Sequence, residues 1–435
     1  MEIVIFFYRI EEDFFIEKVF SDAEALSLSL FFQGGLNIMS SSKARFFNPA
    51  VVGLIMLSFF LGTSEYTVIG ILPEIADGFG ISLTQAGSIV SLFAFAYGLG
   101  TPFLAAYVGK YNRFRITMLG ISLFALCNLI CAIAVNYMVF LVFRILTAVV
   151  SGTVVSISMT YAEDVASIPE HIPGVIAGVF SGFSVASVVG VPIASTITQV
   201  FGWRAAFITI FVATLALLAL LFVKLPRQNR LKAGSILEQF KLFLDKRISI
   251  GCAIVFLAGA STYCFYTYLT PILQQELHIP DSMLSVALLI FGIAAITSNV
   301  SSGQVANKTG IRLLPLIYVI QTVCLLLLPI ATHNLVSGGL VLFILGVVMY
   351  LLNSPLQMHF LKIATREHPA CVNLASSLIS VFFNFGIAAG SAMGGVIVKY
   401  AGLRFVGIGG AIPGIGAIIC AVILLQIMKP GADIR

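Results

Sequence analysis

The sequence predicts an all-α membrane protein with twelve transmembrane helices in two parallel six-helix repeats, on three observations. Its 435 residues are 59% hydrophobic and only 10% charged, with a mean hydropathy of +1.05, whereas charged residues make up about 25% of soluble domains. Twelve apolar runs each approach the ~20 residues that cross a bilayer. The chain also matches itself at an offset of about 200 residues, as Phe201-Gly-Trp-Arg204 against Ala401-Gly-Leu-Arg404 shows. The runs fall at roughly 49–72, 83–107, 116–135, 137–161, 173–200, 205–225, 249–274, 283–306, 313–331, 336–361, 371–398 and 403–428. This divides the chain into a segment 1–48, a bundle 49–225, a linker 226–248, a second bundle 249–428 and a tail 429–435.

The opening segment reads unlike the rest. Residues 1–38 hold Glu2, Glu11, Glu12, Asp13, Glu17, Asp22 and Glu24 against Arg9 and Lys18, without the basic start and small-residue cleavage site of a signal peptide. Gln33-Gly34-Gly35 can be encoded by a purine-rich ribosome-binding sequence three codons ahead of Met39. Native translation is therefore expected to begin at Met39, with residues 1–38 upstream leader sequence read as protein; a short cytoplasmic extension is the alternative.

Between the runs, basic residues set the orientation, because cytoplasmic loops retain Lys and Arg. With the first run entering from inside, the outer loops hold only Arg204, Lys399 and Arg404, Arg144 lies inside a run, and the other twenty of the 24 basic residues are inner. Both termini are expected to be cytoplasmic, and the net charge of +5 is a topology signal rather than a nucleic-acid footprint. Cys127, Cys131, Cys252, Cys264, Cys324, Cys371 and Cys420 form no C-x-x-C pair and read as small packing residues. His171, His278, His333 and His368 fall in loops and His359 near a run's end, without metal-ligand spacing, so neither metal nor cofactor is expected.

The internal match extends to Gly190-Val-Pro192 against Gly390-Ser-Ala392, to Lys110 against Lys308 and to Pro73 against Pro271. Between the halves, Lys224–Arg247 carries seven basic residues with Ile236, Phe240 and Phe243 at helical spacing, which suggests an amphipathic helix in the inner interface. Parallel repeats of this kind place a cavity at their interface near the midplane and reach it by alternating access.

Glu65 is the one acid deep in the first run. A charge there costs ~2.5–3.5 kcal/mol on insertion scales, so it persists only with a partner, a wet cavity or a task. Arg144 lies at the same depth in the fourth run, above a stripe of Thr147, Ala148, Ser151 and Val155 on one helix face. Burial raises a carboxyl's proton affinity and a nearby cation lowers it, so this pair could switch a proton on and off. The bland alternative is a permanently paired structural charge. Tyr66, Phe93, Tyr97, Tyr263, Tyr266 and Asn353, with Ser151, are candidate cavity residues for a flat or hydroxylated ligand. Gly178, Gly182, Ala186 and Gly190 in one run, and Gly386, Gly390 and Gly394 in another, are small-residue faces for close helix approach, with a kink expected at Pro192.

Gly62-Thr-Ser-Glu-Tyr-Thr-Val-Ile-Gly-Ile-Leu-Pro73, together with Gly190-Val-Pro and Phe201-Gly-Trp-Arg-Ala-Ala-Phe207, resembles the twelve-span drug:proton antiporter branch of the major facilitator superfamily, near bacterial arabinose/sugar and purine efflux proteins. The likeness covers about 49–428. It implies proton transfer at Arg144, and a conformational motif at Lys110, Arg113 and, in the second copy, Lys308. Both copies depart from the motif, with Gly109 and Asn307 where the family carries an acid that steadies one conformation. A shortened phosphate-loop likeness at Gly303–Thr309 lacks the glycine before its lysine, so no nucleotide-driven pump is indicated.

The expectation is a monomeric bacterial plasma-membrane transporter, multi-pass in the lipid bilayer, exporting a small organic molecule in exchange for protons and binding no nucleic acid. A facilitator or proton symporter is the first alternative. A non-transporting sensor is the second, and the shortness of the inner loops opposes it. An enzyme is the least expected.

Overall fold

In the computed structural model, residues 48–108, 111–168, 171–227, 240–368 and 371–428 are described. The expected leader 1–38, Lys110, most of the linker and the tail lie outside them. Among the described residues, twelve helices are long and apolar enough to cross a bilayer: α1 Pro49–Gly70, α2 Leu83–Thr101, α3 Arg113–Ile133, α4 Tyr137–Thr160, α5 Gly174–Phe201, α6 Trp203–Lys224, α7 Lys246–Glu276, α8 Asp281–Lys308, α9 Gly310–Ala331, α10 Leu335–Glu367, α11 Ser377–Tyr400 and α12 Leu403–Ile427. No strand occurs among the described residues.

Side-chain caps set several helix starts. Asn48, Asn112, Asn136, Asp245 and Asn334 each accept a backbone N–H of the following first turn, at 2.8–3.1 Å. The cap at Asn112 draws Arg113 and Arg115 into helix, so α3 starts three residues before the apolar run does. Pro192 follows a π-turn at Ala186–Gly190. Proline has no N–H to give and its ring crowds the preceding turn, and the wide turn accommodates both. In the second half the order is reversed, and Pro271 precedes a π-turn at Ile272–Glu276. Of the expected linker helix, residues 224–227 and 240–247 are described, and Phe240–Leu244 forms one short 3₁₀ turn in which Leu242 is buried.

The two repeats are visible in backbone detail. Gly202 and Gly402, 200 positions apart, take φ +80° and +98°, a region open to glycine. Each is followed two residues later by an arginine that caps a carbonyl at the end of a neighbouring span, Arg204 to Ala134 O at 3.1 Å and Arg404 to Pro329 O at 2.9 Å. Gly80 and His278, 198 positions apart, are also both left-handed, with φ +63° and +52°. A buried polar rung joins the first and third helix of each half: Ser64 donates to Asn128 at 2.8 Å, and Gln321 donates to Thr262 at 3.0 Å.

The small-residue faces bring backbones together within each half. A Cβ at Gly182 would collide with the Ile55 carbonyl of α1, and one at Gly190 would press on Thr63. In the second half, a Cβ at Gly390 would collide with the Ala260 carbonyl of α7, and one at Gly394 would crowd Cys264 O. Without a hydrophobic force between helices in lipid, this close contact is what holds α1 to α5 and α7 to α11.

Between the halves, α2 packs on α11 and α5 on α8. Thr270 Oγ1 donates to Ile69 O at 2.8 Å, Thr84 Oγ1 to Gly395 O at 3.1 Å, Ser91 Oγ to Ala388 O at 2.7 Å and Gln199 Nε2 to Asp281 O at 2.8 Å. All four lie toward the end of the bundle away from the basic loops, so the halves are joined and closed on that face.

Candidate functional site

Glu65 and Arg144 line one narrow cavity between the halves, with Tyr66, Phe93, Val90 and Ile69 from the first half and Tyr263 and Ile387 from the second. The register that brings them together is simple: α1 and α4 cross in opposite directions, so Glu65 near the end of α1 and Arg144 near the start of α4 both stand about two turns from the closed end. The two make no ion pair among the described residues. Glu65 Oε2 is buried with no hydrogen-bond partner, and so is Arg144 Nε. Arg144 instead donates Nη1 to Ser64 Oγ at 3.0 Å, and its guanidinium lies 4.4 Å over the Phe93 ring and 5.8 Å from that of Phe207. Guanidinium is weakly hydrated and stacks readily on rings, which suits it to such a setting.

The aromatic candidates form a box across the interface. Tyr66 meets Phe183 edge-on at 5.8 Å, Tyr263 meets Tyr266 at 5.2 Å and Phe383 at 5.8 Å, and Tyr266 stacks on Phe291 at 5.3 Å. The Tyr263 hydroxyl is buried and faces those of Tyr66 and Tyr350. Tyr97 packs with Phe93 and Ala148 below the cavity and faces Ser380. Ser151, two turns along α4 from Arg144, is fully buried with its hydroxyl unpartnered. Asn353 lies apart from this group, donating to Asn299 Oδ1 at 3.3 Å between α8 and α10.

Three further residues belong to the site. Ser64 and Asn128 hold Arg144. Tyr350 faces Tyr66, Tyr263 and Ser187 from a break in α10 at 349–352, where its backbone N–H donates to Ser298 Oγ at 2.9 Å. A helix break at mid-span is tolerated only where its freed backbone groups find partners inside the protein, as this one does.

The motif residues occupy the opposite end. Arg113 is buried, ion-paired with Asp164, bonded to Thr160 O at 2.8 Å and 4.0 Å over the Tyr161 ring. Arg113 thus finds its acid in Asp164, beyond the end of α4. Lys308 ends α8, exposed to solvent. In the second half, Arg247 binds Asp245 and Glu367, with His368 4.0 Å from Asp245. Asp245, Glu367 and His368 have metal-ligand chemistry and lie together, but the Arg247 cation engages both carboxylates. Burial pushes the Asp245 carboxyl up, and hydrogen bonds from the Arg247 side chain and backbone N–H outweigh it, holding the group below the usual carboxylate value.

A fold of two six-helix halves around a cavity between them defines a membrane transporter. The family model of the Major Facilitator Superfamily matches residues 54–373, and the chain belongs to that superfamily, as a transporter rather than an enzyme. It is 31% identical to the uncharacterized MFS-type transporter YtbD of Bacillus subtilis, over 85% of this chain and 94% of that one. It is 26% identical to the inner membrane transport protein YdhP of Escherichia coli, over 87% and 95%. Among solved structures it is similar to a bacterial homolog of the human lysosomal transporter Spinster in an inward-facing, occupied conformation, with TM-score 0.69, 17% identity and coverage of 86% and 96%.

Proposed function

We propose that this protein is a proton-coupled exporter of a small organic molecule in the bacterial inner membrane, with its basic loops and both termini cytoplasmic. The observation that carries the proposal is Glu65: an acid with a buried, unpartnered oxygen in the cavity between the halves, beside an arginine that does not neutralise it. A permanently paired structural charge would be engaged, whereas a proton carrier must be free to bind and release. Tyr66, Phe93, Tyr97, Tyr263 and Tyr266 offer ring faces and hydroxyls, which suit a flat or hydroxylated substrate such as a sugar, a purine nucleoside or a drug. Opening and closing turns on the tight α1–α5 and α7–α11 contacts at Gly182, Gly190, Gly390 and Gly394, with the π-turn before Pro192 as a compliant point. The closed face is then the outer one, and the relatives' bacterial sources and the printed name of YdhP support the location.

The test has two stages. Substrate-induced proton release from purified protein, screened over sugars, purines and cationic dyes, selects a substrate. Glu65→Gln keeps the side chain's shape and removes the proton, so vesicles should lose accumulation driven by a pH gradient while retaining exchange at equal concentrations. Accumulation at the wild-type level in that variant excludes Glu65 as the coupling site.

A further inference from the structure

Arg144 stands at the end of a directed chain of hydrogen bonds. Asn128 Nδ2 donates to Phe124 O at 2.8 Å on its own helix, Ser64 Oγ donates to Asn128 Oδ1 at 2.8 Å, and Arg144 Nη1 donates to Ser64 Oγ at 3.0 Å. The chain has one polarity. With its amide N–H₂ tied to a carbonyl, Asn128 presents its oxygen, the single Ser64 proton goes to that oxygen, and the Ser64 lone pair is left for the guanidinium. All three side chains are at most 1% exposed, so water offers no competing partner.

Ser64 directly precedes Glu65 and therefore projects about 100° away around α1. An arginine docked on Ser64 makes no ion pair with the acid beside it, and the two unpartnered atoms, Glu65 Oε2 and Arg144 Nε, are what remains of the pair they could make. We propose that Ser64 and Asn128 are positioning residues that hold the Arg144 guanidinium off the Glu65 carboxyl, leaving the acid free to take a proton in this conformation. The assignment rests on Glu65 as the proton carrier. The other titratable groups whose fields reach the pair are Tyr66 on α1, Tyr97 on α2, Cys127 and Cys131 on α3, Tyr263 on α7 and Tyr350 on α10. All are neutral when protonated, so Arg144 is the one cation of this group.

The experiment needs no transport substrate. N,N′-dicyclohexylcarbodiimide reacts with protonated carboxyls in apolar surroundings, and labelling of Glu65 in the purified full-length protein, followed across the neutral pH range by mass spectrometry, reads whether the acid holds a proton. An arginine in ion-pair range lowers a carboxyl's proton occupancy about tenfold or more, so Ser64→Ala and Asn128→Leu should label about tenfold less than wild type at one pH. Ser64→Thr retains the hydroxyl and should label as wild type does. Ser64→Ala combined with Arg144→Ala should recover labelling, because the released cation is gone. The proposal is overturned if Ser64→Ala labels like wild type, if the double variant stays low and so exposes a structural defect, or if wild type itself does not label. Should Glu65→Gln vesicles still accumulate substrate, the coupling assignment fails while the labelling result stands, which separates the two ideas.

Discussion

Opening the closed face must break the side-chain bonds that join the halves there, and their number sets how strongly the protein favours this conformation. Thr84, Ser91 and Thr270 each give a hydroxyl proton to a carbonyl of the other half. Such a bond contributes about 0.5–1.5 kcal/mol net, so Thr84→Val, Ser91→Ala and Thr270→Val together remove about 3 kcal/mol from the closed state. At tenfold per 1.4 kcal/mol, the open population should rise roughly a hundredfold. Val90 lines the cavity and is 8% exposed, so a cysteine placed there, in a background without the seven native cysteines, reports opening through its maleimide reaction rate. Detergent-solubilised protein removes any question of sidedness. A labelling rate in the triple variant equal to that of the single-cysteine parent would refute the assignment of these bonds as the seal.

Orientation is checked in intact cells: a cysteine at Asn307 should be shielded from impermeant thiol reagent and one at His333 should react, and the reverse pattern would invert the protein in the membrane. Asp245→Asn should lower the melting temperature at neutral pH. Because the native carboxyl titrates below its ordinary value of about 3.9, its contribution is complete above that pH and disappears as the medium is acidified through the lowered value. The melting difference between variant and wild type should therefore close in acid, and a gap that persists there would place the effect in the cap's shape rather than its charge.

Helix number, the repeat and the depth of Glu65 and Arg144 were legible in the sequence because each depends on local pattern: apolar length, an offset between like segments, and position along a run. The left-handed turns show how far the repeat reaches. Gly202 and Gly402 announce themselves as glycine, but His278 shares the geometry of Gly80 without its residue type. What the sequence concealed is nonlocal. Ser64 and Asn128 are ordinary small polar residues in apolar runs until α3 is laid against α1. The break at Tyr350 has no proline or glycine within it and depends on Ser298, 52 residues away. Asn353 looks like a cavity residue for the same reason that Ser64 does not: only packing decides which polar group turns inward and which finds a neighbour sideways.

The polar rung is present in both halves, but only the first adds an arginine to it; 200 positions on from Arg144 stands Ile344. One half is therefore electrically active at mid-membrane and the other silent. On the proposed mechanism, the active half carries no net charge at that depth when Glu65 is ionised and one positive charge when it is protonated, since arginine keeps its proton throughout. A membrane potential does work of about 2.3 kcal/mol per elementary charge per 100 mV, so the voltage acts on the proton-loaded carrier and leaves the empty one untouched. A potential negative inside then drives the loaded carrier toward the cytoplasm, and the return step proceeds against no electrical load unless the substrate brings its own charge.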